Sequence, residues 1–119
     1  MKDKGFSTRL LDSLVEKRRK ENEKRRKELL GRLFLALDRL SKKVHFGRVY
    51  VFGSLARPGR FRKLSDIDLG FLGLENKAVV KTAALLSREM GLNVDVLQLE
   101  GHRLADKIIR EGIPWEKKK

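Results

Sequence analysis

The sequence predicts an α/β (α+β) fold in which helices pack on a small mixed β-sheet. Short segments rich in β-branched residues alternate with amphipathic segments after residue 45, glycine or proline separates most of them, and a long charged segment precedes them. Strands and helices that alternate along a chain usually form one sheet with helical cover. At 119 residues, 40% of them hydrophobic, the chain suffices for one domain with a modest core.

A division of the chain is predicted at residue 44, between a basic helical segment (1–44) and a domain (45–119). The formal net charge of the chain is +13, and the first 44 residues carry 15 basic and 7 acidic side chains. Such a charge favours polyanionic partners, although a solvated charged surface would have the same composition.

The first segment is predicted to be helical from about Thr8 to Lys43. Apolar patches over 10–15 and 29–40 flank a stretch in which EKRRKEN is followed by EKRRKEL. Charge pairs can keep residues 16–28 helical, but this stretch contains no apolar residue with which to bury a face. An unbroken helix would be about 54 Å long, so it either projects from the domain or breaks, with Gly31 as the weakest point.

The remaining segments are predicted from their periodicity and their turn residues. They are a strand over 48–52, a short helix after the Gly-Ser pair at 53–54, a strand over 67–72 that begins near residue 66, a helix over 77–90, a strand over 93–99 and a helix over 102–111. The side chains of the 77–90 helix that we expect to face the core are Val79, Val80, Ala83, Leu86 and Met90.

Three carboxylates are the first candidate for chemistry. Asp66 and Asp68 are two residues apart on the second strand, so they share a face, and Asp95 lies within the third strand. Two such charges about 6 Å apart repel by roughly 3 kcal/mol at an effective dielectric constant of 20. A shared proton, a basic side chain or a hard divalent cation, Mg²⁺ or Mn²⁺, would each relieve the repulsion. Two ions held by three acids would form a clamp for phosphoryl transfer.

The second candidate is a phosphate site at Gly53 and Ser54, directly after the first strand. Glycine lets a phosphate approach the backbone, and N–H groups at a helix start bind anions. Arg57 and Lys63, with other cations of the same loop, lie between this turn and the acids and are candidates to hold a triphosphate.

The segment VFGSLARPGRFRKLSDIDLGFLG resembles the signature of the DNA polymerase beta-like nucleotidyltransferase superfamily, a Gly-Ser pair followed by Asp-x-Asp. The short chain and the acid in NVDVLQLE are similar to the minimal nucleotidyltransferases, the MNT group. The resemblance covers roughly residues 47–113. It implies the nucleotidyltransferase fold and transfer of a nucleoside monophosphate from an NTP to a hydroxyl acceptor.

The same resemblance implies roles for individual residues. Asp66 and Asp68 would ligate two Mg²⁺ ions, Asp95 would ligate one and help to deprotonate the acceptor, and Gly53 and Ser54 would hold the β and γ phosphates of ATP. MNT proteins are often antitoxins that transfer AMP to a tyrosine of a HEPN-type toxin. The resemblance therefore also implies AMPylation of such a partner within a toxin–antitoxin system.

Several alternatives remain open from the sequence alone. The domain could neutralise a partner by contact without catalysis, or it could add nucleotides to RNA ends with help from the basic helix. The leucine-bearing helix could also seat a second chain, in a homo-oligomer or a hetero-oligomer. The sequence lacks cysteine and has no long apolar run, which predicts a cytoplasmic protein without a membrane span.

Overall fold

The computed structural model describes residues 4–61 and 65–117 and shows one mixed four-stranded sheet with helices on both faces, as predicted. In chain order the elements are α1 (Lys4–Leu40), β1 (Val49–Phe52), a 3-10 turn (Gly53–Ala56), β2 (Ile67–Phe71), a second 3-10 turn (Asn76–Ala78), α2 (Val79–Met90), β3 (Val94–Gln98), α3 (Ala105–Glu111) and β4 (Ile113–Trp115). The strand order is β3-β2-β1-β4. Strands β2 and β3 are parallel, and β1 is antiparallel to both β2 and β4.

Helix α1 is unbroken over 37 residues and projects from the domain. Its residues 8–21 are all exposed, and the molecule measures 63 × 28 × 25 Å. Gly31 does not break the helix, and Leu33 and Leu37 on the turns that follow it are fully buried, so their packing can offset the helix cost of one glycine. Of the helices in the described ranges, none is both long enough and apolar enough to cross a membrane.

The bounds of α1 differ from the predicted ones at both ends, since it begins at Lys4 and ends at Leu40. After Leu40 the chain turns sharply, and the N–H of Val44 donates to the Leu40 carbonyl at 2.9 Å. Val44 and Phe46, which follow Leu40 in this turn, are buried in the core.

The sheet has two differently covered faces, because side chains alternate along each strand. One face carries the main core, to which the second half of α1 and helix α2 contribute; its fully buried members include Leu33, Leu37, Val51, Leu69 and Phe71. The other face is covered in part by α3, around Tyr50, Leu99 and Ile108. The rest of that second face is open, and the acidic residues described below lie there.

The prediction for the inward face of α2 was wrong at Val80, which is 79% exposed. Thr82 is completely buried in its place, together with Leu86 and Met90. These three positions follow a spacing of four residues and so share one stripe of the helix, whereas Val80, two residues before Thr82, lies about 160° around the helix from it. Gly91 ends α2 in the left-handed conformation, with φ of 70°.

Strand β4 was missed from the sequence, because Pro114 suggested only a helix stop. Proline is tolerated at a sheet edge, where no ladder N–H is needed on the outer side, and β4 is the edge strand beside β1. Its Trp115 packs against Phe46 with ring centroids 5.5 Å apart. The preceding helix begins at Ala105 rather than His102, because the His102 ring accepts the N–H of Leu104 within a turn.

Candidate active site

Two of the predicted acids are direct neighbours on the open face of the sheet. In the parallel pair of β2 and β3, Asp68 lies opposite Asp95. Residues opposite one another on adjacent strands project from the same face, so these carboxylates are side by side. Asp68 is partly buried in the central strand and Asp95 is exposed, with its Oδ1 atom accepting from Asn93 Nδ2 at 3.3 Å.

Asp66 takes a different position from the predicted one. It precedes β2 instead of lying within it, and its side chain is exposed. Its carboxylate is nevertheless close enough to Asp68 to act on that group electrostatically. The three predicted acids therefore belong to one region, with Asp68 at its centre.

The electrostatics of this region disfavour a negative charge on Asp68. Burial raises the pKa of the Asp68 carboxyl above its ordinary value, and the charges of Asp95 and Asp66 raise it further. Like charges in a partly desolvated site have this effect unless a cation or a proton compensates them. A bound cation would relieve this repulsion.

The donor set fits a hard divalent cation, since carboxylate oxygens are the ligands that Mg²⁺ prefers. Within residues 4–61 and 65–117, no three acidic or histidine side chains are spaced to hold one ion by themselves. Mg²⁺ in phosphoryl-transfer sites usually takes only one or two carboxylates and completes its shell with water and substrate phosphate. The adjacent pair Asp68 and Asp95 matches that smaller requirement.

The Gly-Ser turn lies beside the central acid. Gly53 follows β1 with φ of 74°, and a Cβ atom at this position would overlap the Oδ2 atom of Asp68. Phe52, the last residue of β1, pairs with Asp68 across the ladder. Only glycine allows the backbone to turn here so close to a carboxylate. Gly53 and Ser54 thus begin a 3-10 turn next to the acids.

Two basic residues were predicted at the phosphate site, and the structure describes one of them, Arg57. Arg57 is exposed after the 3-10 turn, and its Nη2 atom lies 3.4 Å from Oε1 of Glu111 on α3. This ion pair crosses the rim of a cleft of about 180 Å³ that opens beside Gly53 and is lined mainly by apolar atoms, including those of Phe52 and Ile108. Lys63 lies outside the described residues.

Arg26 anchors α1 to this turn, a contact that the sequence did not predict. Arg26 is only 7% exposed, and its Nη1 atom donates to the Leu55 carbonyl at 2.9 Å. Its Nε and Nη2 atoms bind the carboxylate of Glu23, with distances of 2.8 to 3.2 Å. The Arg26 guanidinium lowers the pKa of Glu23, and a hydrogen bond from the Gly59 backbone lowers it too.

This anchor corrects the prediction that the charged stretch cannot bury a face, because Arg26 is buried against the domain. The repeat places a Glu-Arg pair at 16 and 19 and again at 23 and 26, and only the second pair reaches the domain. One signal was available: Arg26 precedes Leu29 by three residues and Leu33 by seven, so it shares their helix face. The first pair is exposed, with Arg19 Nη1 and Glu16 Oε1 3.8 Å apart.

An open acidic face next to a glycine turn is a site that could hold a metal ion and the phosphates of a nucleotide. The family model described as polymerase beta, nucleotidyltransferase, matches residues 37–116. The chain belongs to this family of nucleotidyltransferases. The match begins within α1, ten residues before the region that carries the sequence resemblance.

Within the family, the resemblance to minimal nucleotidyltransferases is confirmed. A solved structure described as a candidate minimal nucleotidyltransferase is 32% identical, with a TM-score of 0.58, and the alignment covers 74% of this chain and 93% of that one. A crystal structure of a toxin–antitoxin with AMP-PNP is 22% identical, with a TM-score of 0.61 and coverage of 72% and 74%. The second likeness shows the shared fold. Among curated proteins, none matches the chain.

Proposed function

We propose that this nucleotidyltransferase transfers AMP from ATP to a hydroxyl group of a partner protein, as the antitoxin of a cytoplasmic toxin–antitoxin pair. The proposed AMP transfer is supported by the register of β2 and β3, in which Asp68 lies beside Asp95 and next to the Gly53 turn. The biological part is supported by the fold shared with a toxin–antitoxin structure that holds AMP-PNP. A tyrosine of a HEPN-type toxin is the proposed acceptor.

In this proposal, the three acids hold Mg²⁺ and the Gly-Ser turn holds the phosphates. Asp66, Asp68 and Asp95 are the proposed ligands, for two ions when ATP is bound. Bound Mg²⁺ would supply positive charge to the triphosphate oxygens. Gly53 and Ser54 present backbone N–H groups and a hydroxyl to the β and γ phosphates.

The reaction itself is an in-line displacement at the α-phosphorus of ATP. A bond forms between the acceptor oxygen and the α-phosphorus, while the bond to the bridging oxygen of the β-phosphate breaks and pyrophosphate leaves with that electron pair. Asp95, the exposed member of the central pair, accepts the proton of the acceptor hydroxyl. Arg57 and Lys63 are proposed to neutralise the triphosphate.

The cleft beside Gly53 is proposed to hold the nucleoside part of ATP. Its volume of about 180 Å³, its mainly apolar lining and its position between the turn and α3 suit a flat ring system. The pair of Arg57 and Glu111 stands at its rim, so the arginine can exchange a carboxylate for a phosphate when the nucleotide enters.

The test is transfer of label from α-³²P ATP to a co-expressed toxin in the presence of Mg²⁺. We expect labelled toxin with the natural chain, and no labelled toxin with Asp68→Asn or Asp95→Asn. Asp106→Asn, a change to an exposed acid on α3, is the matched control and should retain transfer. Neutralisation of the toxin that survives loss of Asp68 and Asp95 would instead support binding by contact alone.

A second candidate, nucleotide addition to RNA ends, is favoured by one observation. Residues 17–20 are four consecutive exposed cations on the projecting part of α1, and phosphate contacts dominate RNA affinity. Labelled product in RNA instead of protein, lost on charge reversal at 17–20, would favour this candidate.

A further inference from the structure

One exposed side chain that the proposed mechanism does not use lies directly among the acids. Asn93 is the last residue before β3, and its Nδ2 atom donates to Oδ1 of Asp95 at 3.3 Å. The two residues are two positions apart, so both side chains project from the open face of the sheet. Asn93 is therefore a neutral neighbour of the acidic group.

The register of the two parallel strands defines the place of Asn93 within this group. Asp95 lies opposite Asp68, so Asn93, two residues before Asp95, is level with Asp66, two residues before Asp68. These four positions form a small array on neighbouring strands, with three acids and one amide. The amide stands beside the acid that we propose as the proton acceptor.

The backbone on both sides of Asn93 is held in place. Its carbonyl accepts the N–H of Ile67 at 2.9 Å, a hydrogen bond that joins Asn93 to the start of β2. The next N–H along the chain, that of Val94, donates to Oγ of Ser87 on α2 at 2.9 Å. Although its side chain is exposed, Asn93 thus projects from a fixed point of the fold.

We propose that Asn93 is a positioning residue, whose amide holds Oδ1 of Asp95 so that Oδ2 stays available to a cation and to the acceptor hydroxyl. This inference rests on the proposed function, in which Asp95 is a metal ligand and accepts the proton. A carboxylate without such a partner rotates at an exposed position, and ordering it costs side-chain entropy. Hydrogen-bonding partners of metal-ligating carboxylates often control metal affinity and activity.

An amide suits this position better than a charged side chain. Asparagine donates a hydrogen bond without adding charge, so the three acids keep their attraction for Mg²⁺. A lysine would cancel part of that charge, whereas a fourth carboxylate would add to the repulsion that already acts on Asp68. The distance of 3.3 Å is long for a hydrogen bond, and such contacts often tighten when substrate covers a site.

Side-chain amide NMR tests the contact itself, because the chain has only three asparagines and one glutamine. The Asn93 amide resonance is identified by its loss in Asn93→Ala. We expect one of its protons to be shifted downfield and to return to an ordinary position in Asp95→Ala. Asp66→Ala is the control, since it removes a neighbouring charge but not the bonding partner. An amide without this shift, or equal effects of the two changes, would overturn the proposal.

Binding of Mn²⁺ to the chain alone, followed by the EPR signal of the free ion, tests positioning without turnover. We expect Asn93→Ala to weaken this binding by roughly tenfold, because Asp95 loses its hydrogen-bonding partner. Asn76→Ala is the matched control, since Asn76 is exposed and lines a cleft with Gln98 at the other end of β3. Equal affinity of the natural chain and Asn93→Ala would count against positioning, whether or not the chain transfers AMP.

The transfer assay distinguishes a hydrogen-bond donor from an oxygen ligand. Asn93→Asp keeps the shape of the side chain but replaces its N–H donor with a second carboxylate oxygen. At saturating Mg²⁺ we expect Asn93→Ala and Asn93→Asp each to lower kcat by roughly tenfold and to leave KM for ATP within about a factor of two. Asn76→Asp controls for the added charge and should transfer normally.

The outcomes separate this inference from the proposed function. A fully active Asn93→Asp would identify Asn93 as a cation ligand and refute the positioning role. If the natural chain transfers no AMP, the proposed function fails, and the NMR and Mn²⁺ measurements still decide whether Asn93 holds Asp95.

Discussion

At the scale of single residues, the site depends on how closely a glycine and a carboxylate approach each other. Gly53 has a positive φ and leaves no room for a Cβ atom beside Asp68. Asp68 in turn is held in a central strand, between Phe52 on one side and Asp95 on the other. A change at either position therefore alters both the turn and the acidic face.

We expect Gly53→Ala to lower the free energy of unfolding by about 2–3 kcal/mol and to weaken binding of AMP-PNP. The cost combines a positive φ with overlap at Asp68. Gly59→Ala is the control, since Gly59 has φ of 79° but open space around the added methyl group, and should cost only about 1 kcal/mol. Denaturant unfolding of both variants measures the difference, and equal losses would contradict the overlap.

Asp68→Asn should stabilise the protein against unfolding at pH 7 without added metal, while abolishing transfer. The pKa of Asp68 is raised in the folded state. The folded state therefore binds the proton of this carboxyl group more tightly than the unfolded state does. Its contribution to stability therefore falls as pH rises from the ordinary value of 3.8 through the raised pKa. The asparagine variant should lack that decline in pH-dependent unfolding curves. Asp66→Asn, at an exposed position, should change stability less.

At the scale of elements, helix α1 has two parts with different surroundings. Residues 29–40 supply core leucines, whereas residues 8–21 are exposed. Arg26 lies between them and joins the helix to the end of the 3-10 turn at Leu55. The division of the chain at residue 44 stays a prediction, but the packing shows that the second part of α1 shares the core of the sheet.

Arg26→Met should lower the free energy of unfolding by about 1–3 kcal/mol and raise KM for ATP more than it lowers kcat. The change leaves the buried Leu55 carbonyl without its donor and loosens the turn that follows Gly53. Arg19→Met removes the same charge at the equivalent repeat position, where the side chain is exposed, and should stay within about 0.5 kcal/mol. Steady-state kinetics and unfolding measurements on both variants would detect the contrast, and similar behaviour would refute the anchor.

Helix α2 contains a buried threonine, Thr82, whose hydroxyl group should lower the stability of the protein. In the described part of the chain, its buried hydroxyl oxygen makes no hydrogen bond. Thr82→Val removes that oxygen at nearly constant volume, so we expect a gain of about 0.5–1 kcal/mol in stability. Val80→Thr, at the exposed neighbour, should be near neutral. Thermal unfolding of the two variants gives the comparison, and a loss of stability in Thr82→Val would show that the hydroxyl has a partner.

At the scale of the whole molecule, the candidate site lies where three parts of the fold meet. The sheet supplies the acids, the turn after β1 supplies the glycine, and α3 forms the far wall of the cleft. Helix α1 and helix α2 cover the opposite face, so the acidic face stays open to a large acceptor. A nucleotide bound where these three parts meet should stabilise the whole domain against unfolding.

We expect Mg²⁺ with AMP-PNP to raise the melting temperature of the natural chain, because a ligand at a hundredfold excess over Kd adds about 2.7 kcal/mol. AMP-PNP with EDTA should give a smaller rise. Asp95→Asn should remove the Mg²⁺-dependent part, whereas Asp12→Asn, at an exposed acid of α1, should retain it. A rise that is the same with and without Mg²⁺ would contradict the proposed metal role.

The sequence determined the main elements and the places of Asp68 and Asp95 on two strands, because strand periodicity is a local property. That these two acids lie opposite one another was decided by the tertiary structure. It also determined the place of Gly53, since a glycine after a buried strand marks a turn. Alternation alone could not reveal β4, because its three residues form a strand only by pairing with β1.

Only the tertiary structure decided which copy of the charged repeat is buried. The Glu-Arg pairs at 16 and 19 and at 23 and 26 have the same local sequence, and they differ only in whether the domain lies against them. The same holds for Val80 and Thr82, whose burial depends on where the sheet meets α2. Local sequence sets the shape of an element, but long-range packing sets which of its faces is covered.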